Sequence, residues 1–304
     1  YGEVHNSVIG PNVIIGKGSV IRDSIIMRNS TIGEDVQMDK AIIAEDVTIG
    51  NNVVLGCGEE VPNVMKPAVY AFGIATEKLL TILEMVHKYF PDCQSVNMDA
   101  TVTNIRAKSD AELKALQDAG VDQLYLGIET GLDDVLQFMH KDHNKAQVYE
   151  AIERLHKAGL EYDAHMMTGI AGKGRGIENA EAIAEFYNKT KPKKIVNFSM
   201  FLHVEAPLYK DIEKGLFVPA DELENLEEEK RLLELLDVDG VEYDGFHDFV
   251  KVRVRGILPR DREKMLAKVE EGIQTYKNKE AVYAKVGGCC CELDCYQMTD
   301  PDFR

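Results

Sequence analysis

The stretch VIGPNVIIGKGSVIRDSIIMRNSTIG, residues 8–33, carries aliphatic side chains at a spacing close to six. The same slot recurs at Ile9, Ile15, Ile21, Met27, Ile32, Met38, Ile43, Ile49 and Leu55, six apart with two steps of five, and a glycine often follows. A helix would repeat about every 3.6 residues and a sandwich strand about every two; neither period fits. Six residues suit one short flat strand and a tight turn. The aliphatic side chain then points into a prism, and the glycine or asparagine that follows relieves the corner. Three such units make one coil, so the spacing predicts a parallel β-helix of hexapeptide repeats over residues 1–60, with the aliphatic stripes as its core.

The rest of the 304 residues frames that reading. Acidic residues outnumber basic ones by 52 to 35, for a net charge of -17. Such a surface repels phosphate backbones and anionic headgroups, so neither nucleic acid nor membrane is an expected partner. No apolar run approaches the ~20 residues that cross a bilayer, and no signal-peptide pattern opens the chain. Cys57 and Cys93 stand alone while Cys289, Cys290, Cys291 and Cys295 crowd the end, unlike the even spacing of a secreted disulfide scaffold. A reducing, cytoplasmic setting is expected.

After Pro67 the repeat stops and a helical period begins. TEKLLTILEMVHKYF (76–90) places Leu79, Leu80, Leu83, Val86 and Phe90 at helix spacing. Strands then read near residues 95, 122, 161 and 195, each followed by a helix. Ser109 starts one helix as an N-cap and Gly120 lies just past its end; Gly159 stops the next. DELENLEEEKRLLELL (221–236) reads as a last strong helix whose acidic run, Asp221 to Glu229, is its wet face. Alternating strands and helices predict a parallel sheet, an α/β partial (β/α) barrel over residues 77–238. Residues 61–76 read as a linker and 239–304 as an extension with a cysteine-rich tail. Ligands of such sheets bind at the carboxyl ends of the strands.

HNSVIGPNVIIGKGSVIRDSIIMRNSTIG and AIIAEDVTIGNNVVLG, within residues 1–75, resemble the left-handed β-helix of bacterial glucose-1-phosphate adenylyltransferase (ADP-glucose pyrophosphorylase). In that family the β-helix helps to build the oligomer and holds no reacting phosphate. The resemblance therefore implies a homo-oligomer through the coil, and carries adenylyl transfer over to no residue here.

Residues 77–238 resemble the later part of a radical S-adenosylmethionine (SAM) barrel of the elongator and methylthiotransferase type. YLGIETG (125–131) is similar to the family's strand segment that sets a polar side chain beside SAM, with Glu129 in the matching position and Gly127 before it. HMMTGIAGKGR (165–175) is similar to its GLPGET loop, with Gly169, Ile170 and Gly172 in place and Ala171 and Lys173 departing from it. FSMFLHVEAPLY (198–209) is similar to a segment ending in GTPLY, with Glu205 and Ala206 in place of Gly and Thr. The resemblance implies SAM bound against a [4Fe-4S] cluster held by a CxxxCxxC loop, and Glu129, Gly127, Gly169 and Gly172 as cofactor-binding residues.

That cysteine loop does not occur in the sequence. In the tail Cys291 and Cys295 give CxxxC, but the third place holds Met298, a poor substitute for a thiolate. They are the metal candidates. His140 and His143 are three apart, a spacing met more often on surfaces than at metals. GKGRG (172–176) lacks the GK[ST] of a phosphate loop. Two functions stay open: a radical SAM protein that lacks its cluster loop and is inactive as this chain, or a non-catalytic assembly or regulatory β-helix of the kind found in glycogen biosynthesis, joined to a barrel fragment.

Overall fold

The computed structural model describes residues 2–56 and 71–286. The chain divides into two compact units, Tyr1–Ala68 and Val69–Arg304.

In the first unit, short strands wind through three parallel ladders. Glu3–His5, Val20–Arg22, Gln37–Asp39 and Val54–Leu55 form one; Val8–Ile9, Ile25–Ile26 and Ile42–Ile43 the second; Ile14–Ile15, Thr31–Ile32 and Thr48–Ile49 the third. Successive strands change ladder in rotation, which is the path of a β-helix. Stacked residues are 17 apart, as in the pair Asn12–Asn29, so each coil has two sides of six residues and one of five. The short side moves one core position. Ile26, fully buried, fills the slot that even spacing gives to Met27, and Met27 is 41% exposed. Ile21, Ile26, Ile32, Met38 and Ile43 form the filling, and each contributes about 1.5–3 kcal/mol by burial.

The corners also differ from expectation. Left-handed backbone occurs in columns such as Asn12, Asn29 and Asp46, and of the glycines after the aliphatic residues only Gly56 adopts it, while Gly10, Gly16, Gly33 and Gly50 do not. Asparagine and aspartate tolerate that conformation. Asn12 Nδ2 donates to Asn29 Oδ1 (3.1 Å), and Asn29 Nδ2 to Asp46 Oδ1 (3.0 Å). Gly16 serves instead for close approach, since a Cβ there would stand 2.3 Å from the Gly33 carbonyl oxygen. Inside the coil the hydroxyls of Ser19, Ser24 and Ser30 accept the amides of Val36, Ala41 and Val47.

The second unit holds a six-stranded sheet in sequence order: β1 (Val96–Ala100), β2 (Val121–Glu129), β3 (Glu161–Thr168), β4 (Lys194–Ser199), β5 (Val241–His247) and β6 (Val252–Leu258). The first five are parallel and β6 is antiparallel to β5. The long helices are α1 (Thr76–Tyr89), α2 (Asp110–Asp118), α3 (Lys145–Ala158), α4 (Gly176–Thr190), α5 (Glu222–Leu235) and α6 (Arg262–Tyr276). Local signals set their ends. Ser109 and Glu112 exchange side-chain and backbone hydrogen bonds as a capping box at α2, and Gly159 ends α3 in the left-handed conformation. Alternate strand residues such as Leu124, Leu126, Tyr162 and Ala164 join helix residues such as Leu155 and Phe186 in one core. Residues of the other parity face away from it.

The sheet runs on past residue 238. β5, β6 and α6 insert Tyr243, Val254, Leu258, Met265 and Val269 into the same core. The sheet thus has six strands where four were expected. VEYDGFH and VRVRGIL do carry the alternation of half-buried strands. The acidic run on α5 is a second correction: Glu222, Glu228 and Glu229 are 1%, 0% and 0% exposed. A carboxylate reads as a wet face when its partners lie far away in sequence, and here they lie on β4, β5, α4 and the loop after β3.

Candidate functional site

The sheet face turned away from the helix core carries Asn97 and Asp99 on β1, Tyr125, Gly127 and Glu129 on β2, His165 and Met167 on β3, Phe198 on β4 and Phe246 on β5. Glu129 closes β2 with φ 65, a conformation that costs a side-chain-bearing residue about 1 kcal/mol or more. Its Oε1 accepts from Lys141 Nζ at 2.7 Å, and its side chain is 13% exposed. Gly127 leaves room for that carboxylate, because a Cβ on it would lie 2.6 Å from Glu129 Oε1. Tyr125 and His165 stack with centroids 6.0 Å apart. Burial lowers the imidazole pKa of His165 against the opposing pull of Asp99 and Glu129, so the ring is neutral near pH 7. Phe198 and Phe246 continue the aromatic row, 5.7 Å apart and nearly parallel, and the Arg253 guanidinium lies over Phe246.

The glycine loop after β3 is tied into the protein. Gly169 (φ 82) donates its amide to Glu228 Oε2 at 2.9 Å, and Gly172 donates to the Gly169 carbonyl at 3.0 Å. Both amides are therefore used within the fold. Glu228 Oε1 accepts from Asn179 Nδ2 at 2.7 Å, and Thr130, next after Glu129, donates to Asn179 Oδ1. The expected cofactor segments around 129 and 169 are thus joined through two buried side chains. Burial raises the carboxyl pKa of Glu228 to about 8, although the Gly169 and Asn179 hydrogen bonds oppose this. Gly172 and Ile170 also line a cleft of about 340 Å³ with Phe138 and Phe217, with Asp134 and Arg175 at its edge. Arg175 is held by Asp134 (2.8 Å) and Glu178 (2.8 Å).

A buried polar cluster stands behind the sheet. His247 Nε2 meets Glu229 Oε2 at 3.0 Å, and its Nδ1 meets Ser199 Oγ at 2.7 Å. Ser199 donates to Glu222 Oε2 at 2.9 Å, and Tyr243 donates to Glu229 Oε1 at 2.9 Å. Burial alone would lower His247, but Glu229 and Glu222 outweigh it and raise its pKa to about 9. Ser199 resembles a nucleophile beside a histidine only in outline. Its proton goes to Glu222 and its oxygen accepts from a charged imidazolium, so His247 does not serve as its base. Sequence reading missed this cluster because its members come from α5, β4 and β5.

Residues 81–187 match the radical SAM superfamily, and residues 1–64 match the GlmU-like C-terminal hexapeptide family. The second unit resembles the radical SAM superfamily. The chain is 50% identical over 74 residues to glucose-1-phosphate adenylyltransferase of Acetivibrio thermocellus, which covers 24% of this chain and 17% of that one. It is 25% identical over 159 residues to the heme chaperone HemW of Bacillus subtilis, covering 50% of this chain and 40% of the relative. Among solved structures, Elp3 of the archaeon Methanocaldococcus infernus with an N-terminal deletion is similar with a TM-score of 0.47 at 14% identity, covering 73% of this chain and 47% of that one. The chain spans well under half the length of either curated relative. Both resemblances read from the sequence are borne out.

The radical SAM resemblance implies a cluster that needs three thiolates. Cys93 is the one cysteine among the described residues, and none of them form a group of three His, Cys, Asp or Glu able to hold a metal ion. The described residues do not fit the cluster. Cys291 and Cys295 lie outside the described residues. On the same sheet face Glu129 is an acceptor fixed by Lys141, and Tyr125 and His165 stack as a flat polar-edged shelf, groups whose chemistry fits SAM. No helix among the described residues is long and apolar enough to cross a membrane.

Proposed function

We propose that the second unit is a SAM-binding unit of the radical SAM type and that the first is a left-handed assembly coil of the adenylyltransferase type. The observation that carries the reading is Glu129. It is held in a strained backbone conformation at the carboxyl end of β2, fixed by Lys141, on the open face of the sheet. There its carboxylate accepts hydrogen bonds from a sugar diol, while Lys141 holds it in place. Gly127 keeps the approach clear, and neutral His165 offers one donor and one acceptor to the same ligand.

In this reading the described residues bind and orient SAM but do not supply the electron chemistry. Calorimetry with SAM tests the binding claim: Glu129→Ala should weaken the complex by about 1–2 kcal/mol, and the absence of binding in the parent would remove the assignment. Anaerobic iron–sulfide reconstitution tests the chemical claim. Less than roughly one iron per chain and no 5′-deoxyadenosine are expected, and stoichiometric iron with 5′-deoxyadenosine would overturn it. For the coil, the outward column Val8, Ile25 and Ile42 stacks in register and is exposed, which supports association of coils.

The row Tyr125, His165, Phe198 and Phe246 favours a second reading, in which a flat ring system lies across the sheet face. The heme named for the HemW relative is such a molecule. A heme titration showing no spectral shift at stoichiometric protein would remove it.

A further inference from the structure

Glu129 has φ 65, and a side-chain-bearing residue keeps that conformation only where its surroundings fix it. Lys141 holds its carboxylate, not its backbone. The backbone is fixed by the residue that follows. The Thr130 amide donates to the Ile128 carbonyl at 2.8 Å, and the Thr130 hydroxyl accepts from the Leu132 amide at 3.1 Å. That hydroxyl donates in turn to Asn179 Oδ1 on α4. Asn179 Nδ2 donates to Glu228 Oε1 on α5 at 2.7 Å, and Glu228 Oε2 accepts from the Gly169 amide at 2.9 Å. Thr130, Asn179 and Glu228 are 3%, 0% and 0% exposed. At such burial each hydrogen bond strengthens the next, and a missing partner is costly. The backbones also approach closely. A Cβ on Gly131 would stand 2.6 Å from the Ala182 backbone on α4, and one on Gly169 would stand 2.5 Å from Asn225 Oδ1 on α5.

We infer that Asn179 and Glu228 are positioning residues for the ligand face: from behind the sheet they hold Glu129 in its left-handed conformation and lock the 169–172 loop to it, so that the two segments move as one. Both side chains are fully buried on α4 and α5, so neither touches a ligand on the open face. Apolar side chains would fill the same space without the cost of burying polar groups. Hydrogen bonds add direction, and here they set the loop after β2 against the loop after β3. The chain runs one way, from the Leu132 amide through Thr130 and Asn179 to Glu228, where the Gly169 amide closes it. Loss of any one link therefore frees both ends. SAM as the ligand rests on the reading above; the linkage rests on the hydrogen bonds alone.

Amide exchange of the ligand-free full chain, paired with SAM calorimetry, tests it. Asn179→Leu and Glu228→Leu cut the chain at different links. Each should speed exchange at the end it does not touch by about fivefold or more, Asn179→Leu at the Gly169 amide and Glu228→Leu at the Leu132 amide. Thr130→Val removes one hydroxyl and gives the same far-end test at Gly169 should a leucine variant fail to fold, which circular dichroism melts check. Burial keeps the Glu228 carboxyl protonated near pH 7, so Glu228→Gln preserves its charge and should restore exchange and affinity to parent values. Asn179→Leu should weaken SAM binding by about fivefold to tenfold. Combined with Glu129→Ala, the loss should fall well short of the product of the two, because a residue that acts through Glu129 has little left to position. Exchange that changes only at the amides each variant touches, or losses that multiply, would overturn the proposal. If the parent binds no SAM while the far-end amides still respond, the SAM reading falls and the linkage stands.

Discussion

Glu228 and His247 sit in the same buried layer but keep their protons for opposite reasons. Burial holds the Glu228 carboxyl neutral up to about 8, while Glu229 and Glu222 hold His247 charged up to about 9. In both cases the folded pKa lies above the ordinary value of 4.5 or 6.5. Their stabilisation is complete below those ordinary values and is lost as pH rises through about 8 and then about 9. The melting temperature of the second unit should therefore fall between about pH 7 and 9.5. Glu228→Gln should make the fall shallower. A melting temperature that stays level or rises over that range would contradict the assignment. Glu129 gives a second test at this scale. With its φ of 65, Glu129→Gly should be more stable to urea than Glu129→Ala by about 1 kcal/mol, since both lose Lys141 but only glycine relieves the backbone. Equal midpoints would show that no strain is stored there.

Among the elements, the coil separates two positions that hydropathy alone confuses. Ile26 lies at the centre of the prism and Met27 outside it. Ile26→Ala should cost about 2–5 kcal/mol and Met27→Ala under about 0.5 kcal/mol; the reverse order would restore the even six-residue spacing. Glycines sort in the same way. Gly16→Ala should destabilise strongly because a Cβ would meet the Gly33 carbonyl, whereas Gly50 has nothing within 4 Å and should accept alanine readily. The repeat, the β1–β4 strands and the caps at Ser109 and Gly159 were legible because each rests on residues close together in sequence. The short side of the coil was not, because isoleucine and methionine are equally apolar and only stacking against the next turn distinguishes them. β5 and β6 carried the two-residue alternation plainly enough, but their glycines and arginines made it look like extension rather than sheet.

At the scale of the molecule, each unit has its own core, Ile21 to Ile43 in the first and the helix–sheet packing in the second. Calorimetry should show two transitions, with Ile26→Ala moving one and Glu228→Gln the other. One transition that shifts with both variants would mean that the units unfold together. Of the candidate site, the positions of Glu129 and the 169–172 loop were legible through family resemblance, since those motifs are contiguous. The carboxylate layer beneath them was not, because no local pattern distinguishes a glutamate that faces water from one that faces a histidine nearly twenty residues away.

The 17-residue coil has a consequence for how this protein tolerates change in length. Adding or deleting one residue shifts every later side chain off its rung. A whole block of that size preserves each asparagine column and serine step, and simply lengthens the rod by one strand spacing of about 4.8 Å. Tandem duplication or loss of a complete turn is thus the one change of length that this architecture absorbs without new chemistry.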